Sequence, residues 1–254
     1  MSALLDGKVA IVTGAAQGLG RATALAFAEH GARVVVADID LTVEELARTV
    51  SPDGTRARHL AADLTHEDAA AELVAIAERD FGRLDVLVNN AGITQVHPVA
   101  DTSLDEWNRT LAINLTTQFL MLRQAIPAMR RAGGGSVVNI GSISSLVGLP
   151  DQGAYAPAKA GVLMLTRQAA VDYGRDKIRV NCVCPGPMMT PMLRANADAY
   201  PDPQGWLDWL GEQVPLNRIS DPAEVAQAVL FLASDMASYV TGGILSADGG
   251  WTAR

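Results

Sequence analysis

The chain has 254 residues, of which 49% are hydrophobic and 19% are charged. This composition is typical of a globular protein and excludes an intrinsically disordered chain, which would be poor in apolar residues. The formal net charge of −8 argues against a protein that binds nucleic acid through its phosphates, because such proteins are usually basic.

The sequence also indicates the compartment. Asp6 and Lys8 precede any apolar segment, so we expect no secretory signal. The longest uncharged stretch, 132–150, is too rich in Gly, Ser and Asn to cross a bilayer. The two cysteines, Cys182 and Cys184, lie in an apolar run, which predicts buried strand residues rather than a disulfide framework or a metal site. We expect a soluble, cytoplasmic protein without metal, nucleic-acid or membrane partners.

Short apolar runs alternate with amphipathic stretches along the chain. Several runs are apolar at nearly every position, as expected for parallel strands that are covered on both faces. The predicted strands cover residues 8–13, 33–38, 58–62, 84–89, 136–140, 179–184 and 243–246, and the clearest helical stretches cover 19–30, 67–80 and 104–129. This alternation predicts an α/β protein with a doubly wound (Rossmann) fold, in which a seven-stranded parallel sheet is flanked by helices. We expect one domain over residues 1–254.

Residues 186–221 do not follow the alternation. This segment holds five of the twelve prolines together with Trp206 and Trp209. Because a long loop in a compact domain is usually functional, we predict an irregular lid over the substrate at about residues 187–220.

The first predicted strand leads into a glycine-rich loop, TGAAQGLG at residues 13–20. Gly14, Gly18 and Gly20 would permit a tight turn and a close approach of backbone N–H groups to a pyrophosphate at the start of a helix. Such loops also occur in methyltransferases, so the loop alone does not identify the ligand.

Asp38 strengthens the nucleotide interpretation. It ends the second predicted strand, where a carboxylate can accept hydrogen bonds from the adenosine ribose. A 2′-phosphate at 4 Å would be repelled by about 4 kcal/mol at an effective dielectric of 20. Gln17 supplies no compensating cation, so NAD is favoured over NADP.

The third and fourth predicted strands end in further candidate ligand residues. Ligands of doubly wound sheets lie at the carboxyl ends of the strands, near the point where strand order reverses. We expect Asp63, followed by Leu64, to accept from the adenine amino group, and Asn90, Ala91 and Gly92 to lie against the adenosine. Helix capping by Asp63 and turn formation by the asparagines are the alternatives.

Ser142, Tyr155 and Lys159 form the candidate chemical centre. Tyr155 and Lys159 are four residues apart, which places them on one face of a helix. A neighbouring ammonium group and the positive charge of an oxidised nicotinamide would lower the pKa of a tyrosine from about 10 towards neutrality, so that it can take the proton of an alcohol. Ser142 would hold the substrate oxygen by a hydrogen bond.

In combination these motifs resemble those of the short-chain dehydrogenase/reductase family, and the resemblance covers residues 7–252. It rests on the glycine loop, on the NNAG sequence at 89–92, on Asn114, on Ser142, on the Tyr-x-x-x-Lys pair and on Pro185-Gly186. Pro157 departs from the family pattern, but it lies early in a helix, where proline is tolerated.

The resemblance implies roles for these residues. Tyr155 would be the acid/base, Lys159 would lower its pKa and bind the nicotinamide ribose, Ser142 would orient the substrate, and Asn114 would hold a water in a proton relay. It also implies a homotetramer, with residues 247–251 resembling the interface tail. The cofactor contacts that we expect are Gly14, Gln17, Gly18, Leu19, Gly20, Asp38, Asp63, Leu64, Asn90, Ala91, Gly92, Tyr155, Lys159, Pro185, Gly186, Met188 and Thr190, of which Met188 and Thr190 would touch the carboxamide.

The lid carries methionines and tryptophans, which favour a hydrophobic or cyclic alcohol as substrate. The alternative is that these residues pack the lid or fill a subunit interface. Ser144, Gln152, Gln95 and His97 would instead permit a polyol, with His97 expected to be a loop residue rather than a catalytic one. The predicted substrate contacts are Ser142, Ser144, Gln152, Tyr155, Met189 and Trp206.

Three functions fit these features. The favoured one is an NAD-dependent dehydrogenase of a secondary alcohol or ketone. An NADPH-dependent 3-oxoacyl-[acyl-carrier-protein] reductase is the alternative, but Asp38 and the acidic net charge argue against it. A redox-sensing regulator without turnover would have no need for the four candidate catalytic residues.

Overall fold

A seven-stranded parallel sheet forms the centre of the computed structural model, which describes residues 3–253. The strands are β1 (Val9–Thr13), β2 (Arg33–Asp38), β3 (Ala57–Ala61), β4 (Val86–Asn89), β5 (Gly135–Ile140), β6 (Ile178–Pro185) and β7 (Ile244–Ala247). Their order is β3-β2-β1-β4-β5-β6-β7, so strand order reverses between β1 and β4. The predicted fold is confirmed, with strand ends that differ from the prediction by one or two residues.

Helices cover both faces of the sheet because the strands are apolar on both faces. In β1, Ala10 and Val12 pack into one apolar layer and Val9 and Ile11 into the other. None of the helices within residues 3–253 is long and apolar enough to span a membrane. The α-helices are α1 (Gly18–Glu29), α2 (Val43–Val50), α3 (Glu67–Phe81), α4 (Leu104–Leu111), α5 (Thr117–Ala132), α6 (Tyr155–Tyr173), α7 (Pro191–Ala197), α8 (Pro203–Glu212) and α9 (Pro222–Ala233).

The helix predicted over 104–129 contains a π-helical turn at Ala112–Thr116, between α4 and α5. The N–H of Thr117 donates to the carbonyl of Ala112, five residues back. The side-chain amide of Asn114 donates to the carbonyl of Thr110 at 3.0 Å, and so takes part in the local hydrogen bonding of the helix. Turns of this type often occur at functional sites, and this one carries a predicted site residue.

The lid segment is not irregular, and in this respect the prediction is wrong. It contains α7 and α8, and each begins with a proline in the first turn, Pro191 or Pro203. The side chains of Thr190 and Asp202 cap these helices by accepting from backbone N–H groups. A proline in the first turn removes only an N–H that has no partner within the helix, so these prolines start helices instead of preventing them.

The two ends of the lid segment are hydrogen-bonded to each other. The N–H of Ser220 donates to the carbonyl of Pro187 at 3.1 Å, and the N–H of Met189 donates to the carbonyl of Ser220 at 2.9 Å. The hydroxyl of Ser220 also donates to the carbonyl of Pro187 at 3.0 Å. We call residues 187–189 and 220 the lid neck.

Candidate active site

The glycine loop adopts a conformation that requires its glycines. Gly14 and Gly18 have φ values of +63° and +55°. A Cβ atom on Gly20 would lie 2.1 Å from the carbonyl oxygen of Gly14, far inside contact distance. The loop therefore packs closely on the first turn of α1, which is the local geometry that a phosphate-binding loop at a helix start requires. Gln17 precedes α1 and is exposed.

Asp38 lies at the end of β2 beside this loop. One carboxylate oxygen accepts from the N–H of Ala16 at 3.0 Å, and the other accepts from the N–H of Asp40 at 3.1 Å. These two bonds fix the carboxylate at the place where the sequence predicts a ribose ligand. Its contact with a ribose stays a prediction.

Asn90 holds the glycine loop in place. Its side-chain amide donates to the carbonyls of Thr13 and Gly14 at 3.0 and 2.9 Å. The hydroxyl of Thr13 accepts from the N–H groups of Asn90 and Ala91 at 3.0 and 3.1 Å. The Asn90 side chain thus connects the end of β4 to the glycine loop. The backbone that follows Asn90 is left to face a ligand.

Three of the other predicted cofactor residues have side chains that already contact other parts of the protein. Asp63 accepts from the N–H and the hydroxyl of Thr65 at 2.9 and 2.7 Å, and these bonds lower the pKa of its carboxyl. It does not cap α3, whose N-cap is His66. Leu19 and Leu64 are buried in the apolar layers, so their backbones are what a cofactor can reach.

Ser142, Tyr155 and Lys159 come together at the carboxyl end of β5. Ser142 follows β5, and its hydroxyl is close enough to the phenol of Tyr155 to lower the pKa of that phenol. Tyr155 opens α6, and the Nζ atom of Lys159 lies 5.8 Å from the centre of its ring. The same Nζ atom donates to the carbonyl of Ile140, the last residue of β5, at 2.9 Å.

The surrounding protein sets the pKa values of this cluster. Burial raises the pKa of Tyr155, and the nearby Ser142 hydroxyl opposes that rise. Burial lowers the pKa of Lys159 to about 8. In the protein without a bound cofactor, desolvation of the phenol is the largest effect on the pKa of Tyr155. The predicted lowering of this pKa by Lys159 is therefore not a property of the protein by itself.

A serine hydroxyl network fixes the cluster to α6. The hydroxyl of Ser145 donates to the carbonyl of Lys159 at 2.8 Å and accepts from the N–H of Ser142 at 3.1 Å. The N–H of Ser144 donates to the hydroxyl of Ser142 at 3.1 Å. Ser144, a predicted substrate contact, thereby takes part in placing Ser142.

Asn114 is fully buried beside Lys159. Its amide oxygen accepts from the N–H of Ile93 at 3.2 Å. A Cβ atom on Gly92 would lie 2.7 Å from that oxygen and 3.5 Å from Lys159 Nζ, so Gly92 permits the close approach. The side chain of Gln118, which the sequence analysis missed, donates to the Asn114 carbonyl at 3.2 Å.

Cys182 and Cys184 pack against the loop that follows β5. Both are buried in β6, as predicted, with their Sγ atoms 3.9 Å apart. A Cβ atom on Gly141 would lie 2.9 and 3.0 Å from these sulfurs. The contact with the Cys184 thiol, followed by burial, raises the pKa of the Cys182 thiol.

The start of the lid lies next to the glycine loop. Pro185 ends β6, and Gly186 donates its N–H to the carbonyl of Ala247 at 3.1 Å. A Cβ atom on Gly18 would lie 3.3 Å from the methyl group of Thr190, so these two predicted cofactor residues are neighbours. Met188 is partly buried against the apolar layer.

Farther along, the lid touches the loop after β4 through a pair that the sequence analysis missed. The hydroxyl of Thr94 donates to the side-chain oxygen of Asn196 on α7 at 3.3 Å. Trp206 stacks on Tyr200 within the lid, with ring centres 4.8 Å apart, as the packing alternative expects. Met189 is exposed, and its sulfur accepts from Arg194. Contacts of Trp206 and Met189 with a substrate stay predictions.

The polar residues around Gln152 differ in how they are paired. Gln95 accepts from the N–H of Ala154 at 3.0 Å and donates to Thr102 at 3.1 Å. His97 pairs with Glu106 at 2.8 Å, which agrees with its expected place as a loop residue. The side-chain oxygen of Gln152 is buried and has no hydrogen-bond partner within residues 3–253.

Comparisons with known proteins agree with this geometry. A family model described as Enoyl-(Acyl carrier protein) reductase matches residues 14–252. The chain is 43% identical over 247 residues to cis-4-hydroxycyclohexanecarboxylate dehydrogenase of Sinomonas cyclohexanicum, covering 97% of each protein. It is 43% identical over 251 residues to 2,5-dichloro-2,5-cyclohexadiene-1,4-diol dehydrogenase of Sphingobium indicum, covering 98% of each.

A solved structure of levodione reductase superposes with a TM-score of 0.93 at 34% identity, over 98% of this chain and 99% of that one. The matches extend over nearly the whole chain and include the glycine loop, the cluster at β5 and α6, and the lid. The chain is thus an oxidoreductase that belongs to the short-chain dehydrogenase/reductase family.

Proposed function

We propose that this protein is an NAD-dependent dehydrogenase that oxidises a secondary alcohol on a carbon ring. The observation that carries the proposal is the cluster of Ser142, Tyr155 and Lys159, set at the strand end next to the glycine loop. Relatives whose names specify cyclohexane or cyclohexadiene alcohols support a ring substrate. A polyol is the other substrate class that fits the polar residues near Gln152.

The residues of the glycine loop fit a dinucleotide. The absence of a side chain on Gly20 lets the Gly14 carbonyl pack directly against the start of α1, and the two left-handed glycines turn the backbone towards the helix start. The Asp38 carboxylate supports NAD, because a 2′-phosphate would meet its negative charge at close range. The backbone of residues 14–20, the Asp38 carboxylate, the turn at 90–92 and Thr190 would hold the cofactor, with Asp63 near the adenine.

Bound NAD would supply the acceptor for the hydride that leaves the alcohol carbon. Tyr155 Oη takes the hydroxyl proton, and the Ser142 hydroxyl holds the substrate oxygen. Lys159 holds a positive charge below a pH of about 8, and this charge together with that of a bound oxidised nicotinamide would favour the phenolate of Tyr155. Asn114, buried next to Lys159, holds a water through which the proton reaches solvent. Because burial raises the pKa of Tyr155, oxidation should quicken as the pH rises.

The test is the absorbance of NADH at 340 nm, measured with NAD and with NADP over ring alcohols, linear secondary alcohols and polyols. We expect turnover with NAD and a ring alcohol. Tyr155→Phe should lower kcat by about 1,000-fold, within the range for a general base, while the Kd for NAD stays nearly constant. Tyr173→Phe, farther along α6, is the matched control.

Two outcomes contradict the proposal. Full activity of Tyr155→Phe would show that another group takes the proton. Oxidation of NADPH by an acetoacetyl thioester, without alcohol oxidation by NAD, would favour the 3-oxoacyl-[acyl-carrier-protein] reductase.

We infer further that the enzyme is a homotetramer in the cytoplasm and that residues 187–220 act as a substrate lid on one catalytic domain. Exposed apolar side chains on α5 and α6, Phe119, Met164 and Val171, support an assembly between copies. Two buried free thiols fit a reducing compartment. Size-exclusion chromatography with light scattering measures the assembly.

A further inference from the structure

Gln118 is the one polar residue among the largest side chains that are completely buried within residues 3–253. It is the second residue of α5 and directly follows the π-helical turn. Its Oε1 atom is buried and has no hydrogen-bond partner in the described part of the chain. A buried acceptor without a partner lowers stability, and an apolar side chain of similar size would avoid that cost. The presence of a glutamine here therefore calls for an explanation.

The side-chain nitrogen of Gln118 bridges two backbone carbonyls. Nε2 donates to the carbonyl of Asn114 at 3.2 Å and to the carbonyl of Ile140 at 3.4 Å. Both hydrogens of the amide are thus used, and a reversed amide would set Oε1 against two carbonyl oxygens. Gln118 therefore joins the π-helical turn to the last residue of β5.

Both carbonyls belong to the candidate active site. Lys159 Nζ donates to the same Ile140 carbonyl at 2.9 Å, so one oxygen accepts from the catalytic ammonium and from Gln118. A Cβ atom on Gly92 would lie 2.7 Å from the side-chain oxygen of Asn114 and 3.5 Å from Lys159 Nζ, so these two groups border the same small space. One buried amide thus connects the backbone supports of Asn114 and Lys159.

We propose that Gln118 is a positioning residue for the proton transfer: its amide fixes the Ile140 carbonyl against the Asn114 turn, and so holds the Lys159 ammonium beside Tyr155. This inference rests on the proposed function and adds a residue to it. Lysine carries its charge on a flexible four-carbon stem, so the place of that charge depends on the acceptor that Nζ meets. Without the amide, this acceptor loses a contact that fixes it.

The experiment is the pH profile of kcat/KM for oxidation of a ring alcohol by NAD, in the wild type and in Gln118→Met. The substitution keeps the approximate size of the side chain and removes both donors together with the unpaired acceptor. We expect the acid limb to move up by about one pH unit, because a less well placed ammonium favours the phenolate less. On that limb kcat/KM then falls about tenfold, and on the plateau at higher pH it returns to within about twofold of the wild type.

The ionisable groups around Lys159 remain in place in this variant. They are Tyr155 on the same helix and the thiols of Cys182 and Cys184 on β6, whereas the π-helical turn carries no ionisable side chain. Because Gln118 itself is uncharged, a shift of the limb reports the position of the Lys159 charge and not the loss of a titrating group.

A control and a stability measurement separate positioning from a structural role. Gln124→Met, at a partly exposed position of the same helix, should keep the wild-type profile. The urea midpoint of Gln118→Met should equal or exceed that of the wild type, since an apolar side chain replaces an unpaired acceptor. Gln118→Leu should repeat both results if they do not depend on how methionine packs. A lower urea midpoint with an unchanged pH profile would assign Gln118 a structural role and overturn the inference.

The remaining outcomes are also decisive. An unchanged profile at any stability, or an equal loss of kcat/KM at every pH, overturns the inference and leaves the proposed function intact. Failure of the wild type to oxidise any ring alcohol with NAD overturns the proposed function, and the inference falls with it.

Discussion

The nucleotide end of the sheet and the lid are held together in different ways. At the nucleotide end, the glycine loop is bonded to Asp38 and Asn90 through its own backbone groups. The lid is bonded to itself at its neck, and it meets the loop after β4 through the side chains of Thr94 and Asn196. The glycine loop is thus closely packed backbone, whereas the contact of the lid with the loop after β4 is made between two side chains.

This difference implies unequal tolerance to substitution. A backbone site has no freedom to accept even one added carbon atom, because the main chain cannot move aside without breaking the sheet. A side-chain site loses one contact at a time. Four variants test this contrast, two at the nucleotide end, one in the chemical cluster and one at the lid.

Gly20→Ala should have the largest effect. Its Cβ atom would lie 2.1 Å from the carbonyl oxygen of Gly14 and 2.6 Å from the amide nitrogen of Asn90. We expect a loss of about 3 kcal/mol in NAD binding, which corresponds to about 100-fold in Kd by isothermal titration calorimetry. Gly148→Ala, where an added Cβ meets no atom within 4 Å, is the control. Equal Kd values for both variants would show that the loop does not touch the cofactor.

Asp38→Ala should lower the preference for NAD over NADP by about 10- to 100-fold. The partial exposure of Asp38 screens the repulsion of a 2′-phosphate below the about 4 kcal/mol that applies at 4 Å. Ala16 also loses its acceptor, so the affinity for NAD itself should weaken. The measurement is the ratio of kcat/KM for the two cofactors, with Asp68→Ala on the exposed start of α3 as control. An unchanged ratio would place cofactor choice elsewhere.

Lys159→Met should raise the free energy of unfolding by about 3 kcal/mol at pH 7 while it abolishes most activity. Burial lowers the folded-state pKa of Lys159 to about 8, below the ordinary value of 10.5. Below pH 8 the ammonium is charged in both states, and the burial penalty acts in full. Between these two pKa values the folded protein loses its proton first, so the wild type gains stability as the pH rises.

The stabilising effect of Lys159→Met should therefore fade above pH 8 and disappear near pH 10.5. Urea unfolding at pH 7 and pH 10.5 measures it. Lys177→Met, at an exposed turn before β6, is the control. A variant that is less stable than the wild type at pH 7 would show that the bond from Lys159 to Ile140 outweighs the cost of burial.

Thr94→Val should have the smallest effect. The substitution removes the hydroxyl that contacts Asn196, and a single hydrogen bond of this type contributes about 1 kcal/mol. We expect the KM for the alcohol to rise about fivefold with little change in kcat or in NAD affinity. Thr49→Val, on the exposed face of α2, is the control. A 100-fold loss would mean that the lid is as intolerant as the glycine loop, and the contrast would fail.

The sequence was sufficient for the sheet and for the chemical cluster because their signals are local. A run such as Val34-Val35-Val36 predicts a buried strand directly, and the spacing of Tyr155 and Lys159 predicts their shared helix face. The π-helical turn at Asn114 could not be predicted. It depends on the Asn114 side chain, whose amide donates to the carbonyl of Thr110 in place of a backbone N–H. The lid helices were missed because Pro191 and Pro203 were taken as interruptions, although each follows a capping residue.

Electrostatics was the least predictable part of the site. The sequence suggests that an ammonium group next to Tyr155 lowers the pKa of the phenol. The structure buries Lys159 and much of Tyr155, and desolvation acts on each in the direction that disfavours its charge. The unpaired side-chain oxygen of Gln152 was unpredictable for the same reason. The burial of an atom is set by neighbours that are distant in the sequence.

The lid neck makes residues 191–219 a module that can be exchanged. Hydrogen bonds between Pro187, Met189 and Ser220 close the excursion at its base, so its two ends keep their separation whatever lies between them. The entropy of closing a loop grows only slowly with its length. A lid of different length and composition, grafted between these same points, should therefore redirect the enzyme to other alcohols while the cofactor half of the protein remains untouched.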